Sequence, residues 1–315
     1  MAATLQIPYV PLAIAVLFSA HGFRRGSLSP SGAAIATIVG ALMLAVPLRA
    51  FGISLLSFYL IGSRATKVGK QLKAQLEDGH QEAGYRSGFQ VVCNSFSAFI
   101  AAMAWEGLFV PGSLSSLFIH QILGATAGGP AYSSNGWCPL SPNVFHGWSR
   151  ALVFAALGHF ACCLGDTLAS ELGILSKSPP ILITSLKTVP PGTNGGVSRV
   201  GTLASLAGGL AMGGTLAGSL LIENGACRGG ALGVAQAVAW GGFAGLFGSL
   251  VDSFLGATVQ QTKYSATSKR ILTDESGAPP KDAEIKVVSG LNVLTNNQVN
   301  LLSSVITALV LARFA

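Results

Sequence analysis

The chain of 315 residues is 50% hydrophobic and only 10% charged, with a net charge of +7 and a mean hydropathy of +0.57. Soluble globular proteins carry about 25% charged residues, so this composition excludes a soluble protein with an ordinary polar surface. The excess of Lys and Arg falls in loops between apolar runs, which makes it a signal of membrane topology and not of nucleic-acid binding.

The intervals 1–23, 26–48, 87–105, 201–222, 229–251 and 287–312 hold no Lys, Arg, Asp or Glu. Each is close to the ~20 residues that cross a bilayer as a helix. In chain order the pattern predicts spans at 5–22, 31–48, 50–63, 88–106, 147–165, 201–222, 230–251 and 298–314. The expected fold is all-α: a polytopic transmembrane helix bundle of about eight spans, seven to nine, in one integral membrane domain covering 1–315. The first run lacks a basic leader and a small-residue cleavage site, so it reads as a retained span. The third is short, being confined between Arg49 and Arg64. Residues 107–146 form a Gly/Ser/Pro-rich insertion whose apolar part, 112–128, is a candidate re-entrant element or ninth span.

Basic residues in short loops set orientation. Arg24 and Arg25 follow the first span, and the basic loop 64–87 carries Arg64, Lys67, Lys70, Lys73 and Arg86. Lys177, Lys187 and Arg199 mark the loop 174–200; Lys263, Lys269, Arg270, Lys281 and Lys286 mark the loop 261–290. With eight spans all four regions fall on one side, which is expected to be cytosolic. Within the first loop, Val68, Leu72 and Leu76 oppose Lys67, Lys70 and Lys73, the pattern of an amphipathic surface helix. Residues 273–284 read as a solvated turn.

Glycines at small-x-x-x-small spacing, Gly209/Gly213 and Gly214/Gly218, predict close helix packing in lipid. "MGGTLAG" is no dinucleotide loop, because no strand precedes it. The five cysteines form no C-x-x-C pair, and four of them read as small buried residues, with Cys138 undecided in its loop.

Polar islands abut the apolar runs: "RSGFQVVCNS" (86–95), "GDTLASELG" (165–173), "KTVPPGTNGGVS" (187–198), "GSLVDSFLGATVQ" (248–260) and "NNQVN" (296–300). Ionisable groups at membrane depth are costly and point to function by default, the bland alternative being a structural ion pair. Asp252, Gly256 and Gln260 share one helix face. Asp166 and Glu171 stand roughly 140° apart around an ideal helix, so they converge only across a break or a shallow cleft. Pro190 and Pro191 preclude a helix, and the glycines after them permit a loop whose N–H groups could meet an anion. Carboxylates bind Mg²⁺ and Mg²⁺ bridges phosphates, so the islands together suggest phosphoryl or nucleotidyl transfer at the bilayer surface.

"GDTLASELG", "PPGTNGGVS", "DSFLGATVQ" and "NNQVN" resemble, in order, the motifs of the integral membrane family that contains transmembrane protein 19 and plastid phytyl-phosphate kinase. The resemblance runs from about residue 20 to the end. It implies a kinase that moves a phosphoryl group from CTP or ATP to a prenyl monophosphate. A Ser- and Arg-rich transit peptide is not seen, so the endoplasmic reticulum or another endomembrane is the expected location. On this reading Asp166, Glu171 and Asp252 hold Mg²⁺. Lys187, Asn194, Gly195, Gly196 and Ser198 cradle the nucleotide phosphates. Arg86, Asn94, Asn297 and Asn300 orient the lipid phosphate, and Gln260 also binds substrate. Two rival expectations are a transporter or channel for an anion or phosphorylated lipid, since "GDTLASELG" and "VDSFLGATV" hint at related halves, and a non-catalytic membrane scaffold.

Overall fold

The computed structural model describes residues 8–78, 85–124, 128–229, 231–272, 276 and 284–315. The solvated turn expected at 273–284, with Lys281, lies almost wholly outside the described residues.

Polar punctuation between apolar runs starts most helices. Ser29 accepts from the Gly32 N–H (2.9 Å) and Pro30 occupies the first turn of α2 (Pro30–Ala45), which follows α1 (Tyr9–Arg24). Such a cap satisfies an otherwise orphaned donor. The chain continues through α3 (Ala50–Ala65) and the short α4 (Lys70–Leu76), then α5 (Gly88–Cys93), α6 (Phe96–Phe109) and α7 (Leu114–Leu123). Then come α8 (Trp148–Gly173), α9 (Arg199–Glu223), α10 (Gly225–Arg228), α11 (Ala231–Thr258) and α12 (Asn296–Phe314).

Three stretches, 144–173, 199–223 and 235–258, are long and apolar enough to cross a membrane; α6 and α7, bent by 84°, add a fourth if they form one span. Helices α1, α2 and α3 have 16 residues each. At 1.5 Å per residue they reach ~24 Å, short of a hydrocarbon core of ~30 Å. Eight full spans are therefore not what the described residues show. The run expected as one span at 88–106 is broken at Asn94–Ser95, and the Gly/Ser-rich 112–128 supplies the bent arm α7.

The architecture is also not wholly helical. Strands β1 (Glu77–Asp78), β5 (Arg270–Leu272), β4 (Thr262–Ser265) and β6 (Ile285–Ser289) form a sheet in that order, with β1 parallel to β5 and the other pairs antiparallel. A ladder of β2 (Ile181–Leu182) and β3 (Gly196–Val197) folds the loop between α8 and α9 back on itself. The loops at 64–87 and 261–290 thus pair with each other. Strands this short leave too little periodicity to be read in advance.

Helices α8, α9 and α11 pack backbone to backbone. A Cβ on Gly165 would lie 2.8 Å from the Gly245 Cα, and one on Gly208 would lie 3.0 Å from the Gly165 Cα. Gly241 and Gly213 approach just as closely: a Cβ on Gly241 would meet the Gly213 Cα at 2.8 Å. The expectation for Gly209/Gly213 is met at this seam, where a Cβ on Gly209 would lie 2.9 Å from the Gly245 Cα. Gly214 and Gly218 face open space, with nothing within 4 Å.

Away from this seam, Cys138 and Cys227 form a disulfide, so Cys227 is not the lone buried residue its apolar setting suggests, whereas Cys93, Cys162 and Cys163 are free and buried. Asn224 orders this region by donating to the Trp137 carbonyl (3.0 Å), and Trp105, Phe109, Tyr132 and Trp137 pack ring against ring beside it. A free thiol appearing at Cys138 on reduction, detected by maleimide labelling, is the expected signature of the bond.

Gly209→Leu is expected to disrupt the seam and lower thermal stability in detergent, at a cost of at least the ~1–3 kcal/mol typical of overpacking. Gly214→Leu, facing open space, is expected to leave the melting temperature nearly unchanged.

Candidate functional site

The glycine seam places the acids. Asp166 directly follows Gly165, while Ser249 and Asp252 stand one and two turns beyond Gly245 on the same face of α11. Asp166 and Asp252 therefore face one another closely enough to interact electrostatically, and the Ser249 hydroxyl bonds to Asp166. Helix α12 adds the remaining donors. Ser303 Oγ donates to Asp252 Oδ2 at 2.9 Å, and the Asn300 amide nitrogen donates to the same oxygen at 3.2 Å.

Both acids line a cavity of about 770 Å³. Its second charged cluster is basic. Lys73, only 2% exposed, forms an ion pair with Glu171. Arg86 Nη1 donates to Ser63 Oγ at 3.1 Å, and its guanidinium feels both Tyr59 and Glu171. Burial lowers the Arg86 pKa from its usual value, with Tyr59 and Glu171 opposing the shift; an arginine stays charged regardless.

Asn94, at the break between α5 and α6, lines the same cavity, as do Asn194, Gly195, Gly196 and Ser198 of the loop before α9. Gln260 joins them from the end of α11, and Asn297 and Asn300 from α12. Gly195 has φ +78°, and a Cβ there would press on Ala257 and Ser253 of α11. Only glycine tolerates both demands, and this fixes the loop against Gly256. Thr262 Oγ1 accepts from the Asn194 N–H (3.1 Å), and Ile271 and Leu272 of the sheet line the cavity, so the sheet closes over the site.

Three expectations need correction. Lys187 is exposed on the β2–β3 hairpin, where its carbonyl accepts from Leu182, and it does not line the cavity; Lys73 is the buried lysine there. The second concerns metal ligands: no group of three His, Cys, Asp or Glu that could hold a metal is present among the described residues, because Glu171 turns to Lys73. Last, the Gly-rich loop is no open nest. The Thr193 and Gly196 N–H groups donate within the loop, Asn194 donates to Thr262, and Ser198 caps α9 by accepting from Gly201 (3.1 Å).

Lys73 was hidden because a lysine on a short amphipathic stretch ordinarily faces water. Ser249 and Ser303 carried a weak signal, lying on the same helix faces as Asp252 and Asn300.

What remains is a pair of carboxylates held by neutral donors, with no Lys or Arg bonded to either among the described residues. Paired carboxylates in a confined site repel unless a shared proton or a cation joins them, and Mg²⁺ is commonly held by one or two carboxylates plus phosphates. The pair fits such an ion.

A model of the integral membrane protein family DUF92 matches residues 13–308. Protein PGR of Arabidopsis thaliana is 32% identical over 304 residues, which cover 94% of this chain and 91% of that protein. An uncharacterized membrane protein of Methanocaldococcus jannaschii is 36% identical over 115 residues, 36% of this chain and 43% of its own. Protein VTE6, chloroplastic, of Arabidopsis thaliana is 27% identical over 183 residues, 57% of this chain and 44% of its own. No solved structure matches. The chain therefore belongs to the integral membrane protein family DUF92, the family to which its polar motifs point.

Proposed function

We propose that this protein is a membrane kinase that phosphorylates a prenyl monophosphate to its diphosphate with CTP or ATP. The observation that carries this reading is the cavity with two charged clusters: the Asp166/Asp252 pair, and Lys73 with Arg86 around Glu171. A carboxylate pair suits a magnesium–nucleotide complex, and the cations suit the oxygens of a lipid phosphate. The resemblance of the polar motifs to the family that contains phytyl-phosphate kinase supports the same class.

In this reading Asp166 and Asp252 hold Mg²⁺, which when bound neutralises phosphate charge. Ser249, Ser303 and Asn300 fix the two carboxylates so that they need not reorganise during transfer. The prenyl phosphate oxygen attacks the terminal phosphorus of the nucleotide, and the bond from that phosphorus to its bridging oxygen breaks. A phosphate monoester has its second pKa near 6, so the nucleophile is already anionic and no general base is required. Arg86 and Lys73 hold the acceptor phosphate and offset the charge of two anions brought together. Asn94, Asn194, Gln260 and Asn297 supply neutral donors around both phosphate groups.

The test is formation of prenyl diphosphate by purified protein supplied with each nucleotide and a prenyl monophosphate. Asp166→Asn and Asp252→Asn are expected to abolish turnover. Loss of one charge-stabilising donor in Lys73→Ala is expected to lower kcat by about 10²-fold, whereas Lys187→Ala is expected to leave it within about twofold. Equal turnover by wild type and both Asp variants would reject the assignment.

A further inference from the structure

The charged clusters fill only part of the cavity. The remainder runs between the α1–α2 hairpin and α3, and the residues lining it from 15 to 62 include no Lys, Arg, Asp or Glu. Along α2 the wall holds Val39 and, in one line, Ala36, Gly40 and Leu44. The last three recur at i, i+4 and i+8 on one helix face, a length of ~12 Å at 1.5 Å per residue. Leu55, Phe58 and Tyr59 of α3 contribute the facing wall.

The direction of this arm is fixed by its contacts. The Ser29 N–H donates to the Arg86 carbonyl (3.0 Å), so the N-terminus of α2 stands beside the basic cluster. Leu44, at the other end of α2, packs over Gly52 at the start of α3: a Cβ on Gly52 would lie 2.9 Å from the Leu44 Cα. The arm therefore leads away from Arg86 past Tyr59 and ends near Leu44 and Leu55. Its middle is lined by the small residues Ala36 and Gly40, and a Cβ on Gly40 would meet that of Ala15 on α1 at 3.3 Å, a tight contact.

We propose that this arm takes the hydrocarbon chain of the lipid phosphate, and that Ala36 and Leu44 set the longest chain accepted. The proposal rests on the kinase reading for its substrate. The occupant follows from continuity: a phosphate held at Arg86 and Lys73 has its ester chain leaving into the same cavity, and this arm gives it an uncharged path away from the basic cluster. Ala36 governs the width of the arm partway along, and Leu44 its depth. Widening or filling either position changes which chain fits without touching the groups that handle phosphate.

Two measurements test this. Purified wild-type protein is photolysed with a prenyl monophosphate carrying a diazirine at the chain terminus, and labelled peptides are mapped. Label is expected within 15–19, 39–44 or 55–58; label on helices other than α1, α2 and α3, or diminished by added phospholipid but not by unlabelled prenyl monophosphate, overturns the proposal in favour of a bilayer acyl chain. Geranyl, farnesyl and geranylgeranyl monophosphates are then compared as substrates. A few methylenes are worth about tenfold or more in discrimination, so Ala36→Phe should lower the kcat/KM ratio of the longest to the shortest chain by about that factor, and Leu44→Ala should raise it. Ratios unchanged in both variants overturn the proposal, and the photolabel decides alone if Ala36→Phe does not accumulate. The two readings fail separately. Label in the arm with no diphosphate from any chain removes the kinase, while diphosphate formed with label elsewhere removes the arm.

Discussion

The close approach of α8, α9 and α11 through their glycines is the contact on which the rest depends. Lipid gives helices no hydrophobic reason to associate, so contact area must come from backbones that can touch. Gly165, Gly208, Gly209, Gly241 and Gly245 allow that. The seam also carries the register of the site. Asp166 is the next residue after one glycine, and Ser249 and Asp252 follow another by one and two turns. A slip of one residue along α11 would rotate Asp252 by about 100° and carry it away from Asp166.

Against that frame the acids of the chain sort by partner. Glu223 accepts from the Arg49 and Ala50 N–H groups (2.9 and 3.1 Å) and so caps α3, and Glu106 accepts from Ser115 (2.6 Å). Both have structural work that satisfies them. Glu171 is matched by Lys73 inside the cavity. Asp166 and Asp252 are held by hydroxyls and an amide, groups that orient a carboxylate without cancelling its charge. Carboxyl groups so placed in a membrane protein are expensive and point to function by default.

The apolar runs and the polar islands were legible because both rest on simple physics: helices in lipid need apolar surface, and buried polar groups need a reason. That the islands line one cavity was also readable, from their common placement at the ends of runs. Lys73 was not, since its burial depends on Glu171 arriving from a helix far along the chain. Nor was the exposure of Lys187, because a hairpin of two-residue strands turned it outward. The Gly-rich loop signalled tight backbone geometry correctly. Its use proved to be a close seat on α11 at Gly256, with Gly195 as the contact, and its amides are largely spent on holding that shape. The count of eight spans is not confirmed for a different reason: hydropathy reports how apolar a segment is, while α1, α2 and α3 are apolar yet short.

The parallel pairing of β1 with β5 joins Glu77 to Ile271 and Asp78 to Leu272. Such a pairing needs both segments, which lie toward opposite ends of the chain. Contacts so distant along a chain are slow to form and exposed until they do. The cavity is thus completed by segments far apart in the chain, its walls including Ile271 and Leu272 of β5 and Asn300 of α12.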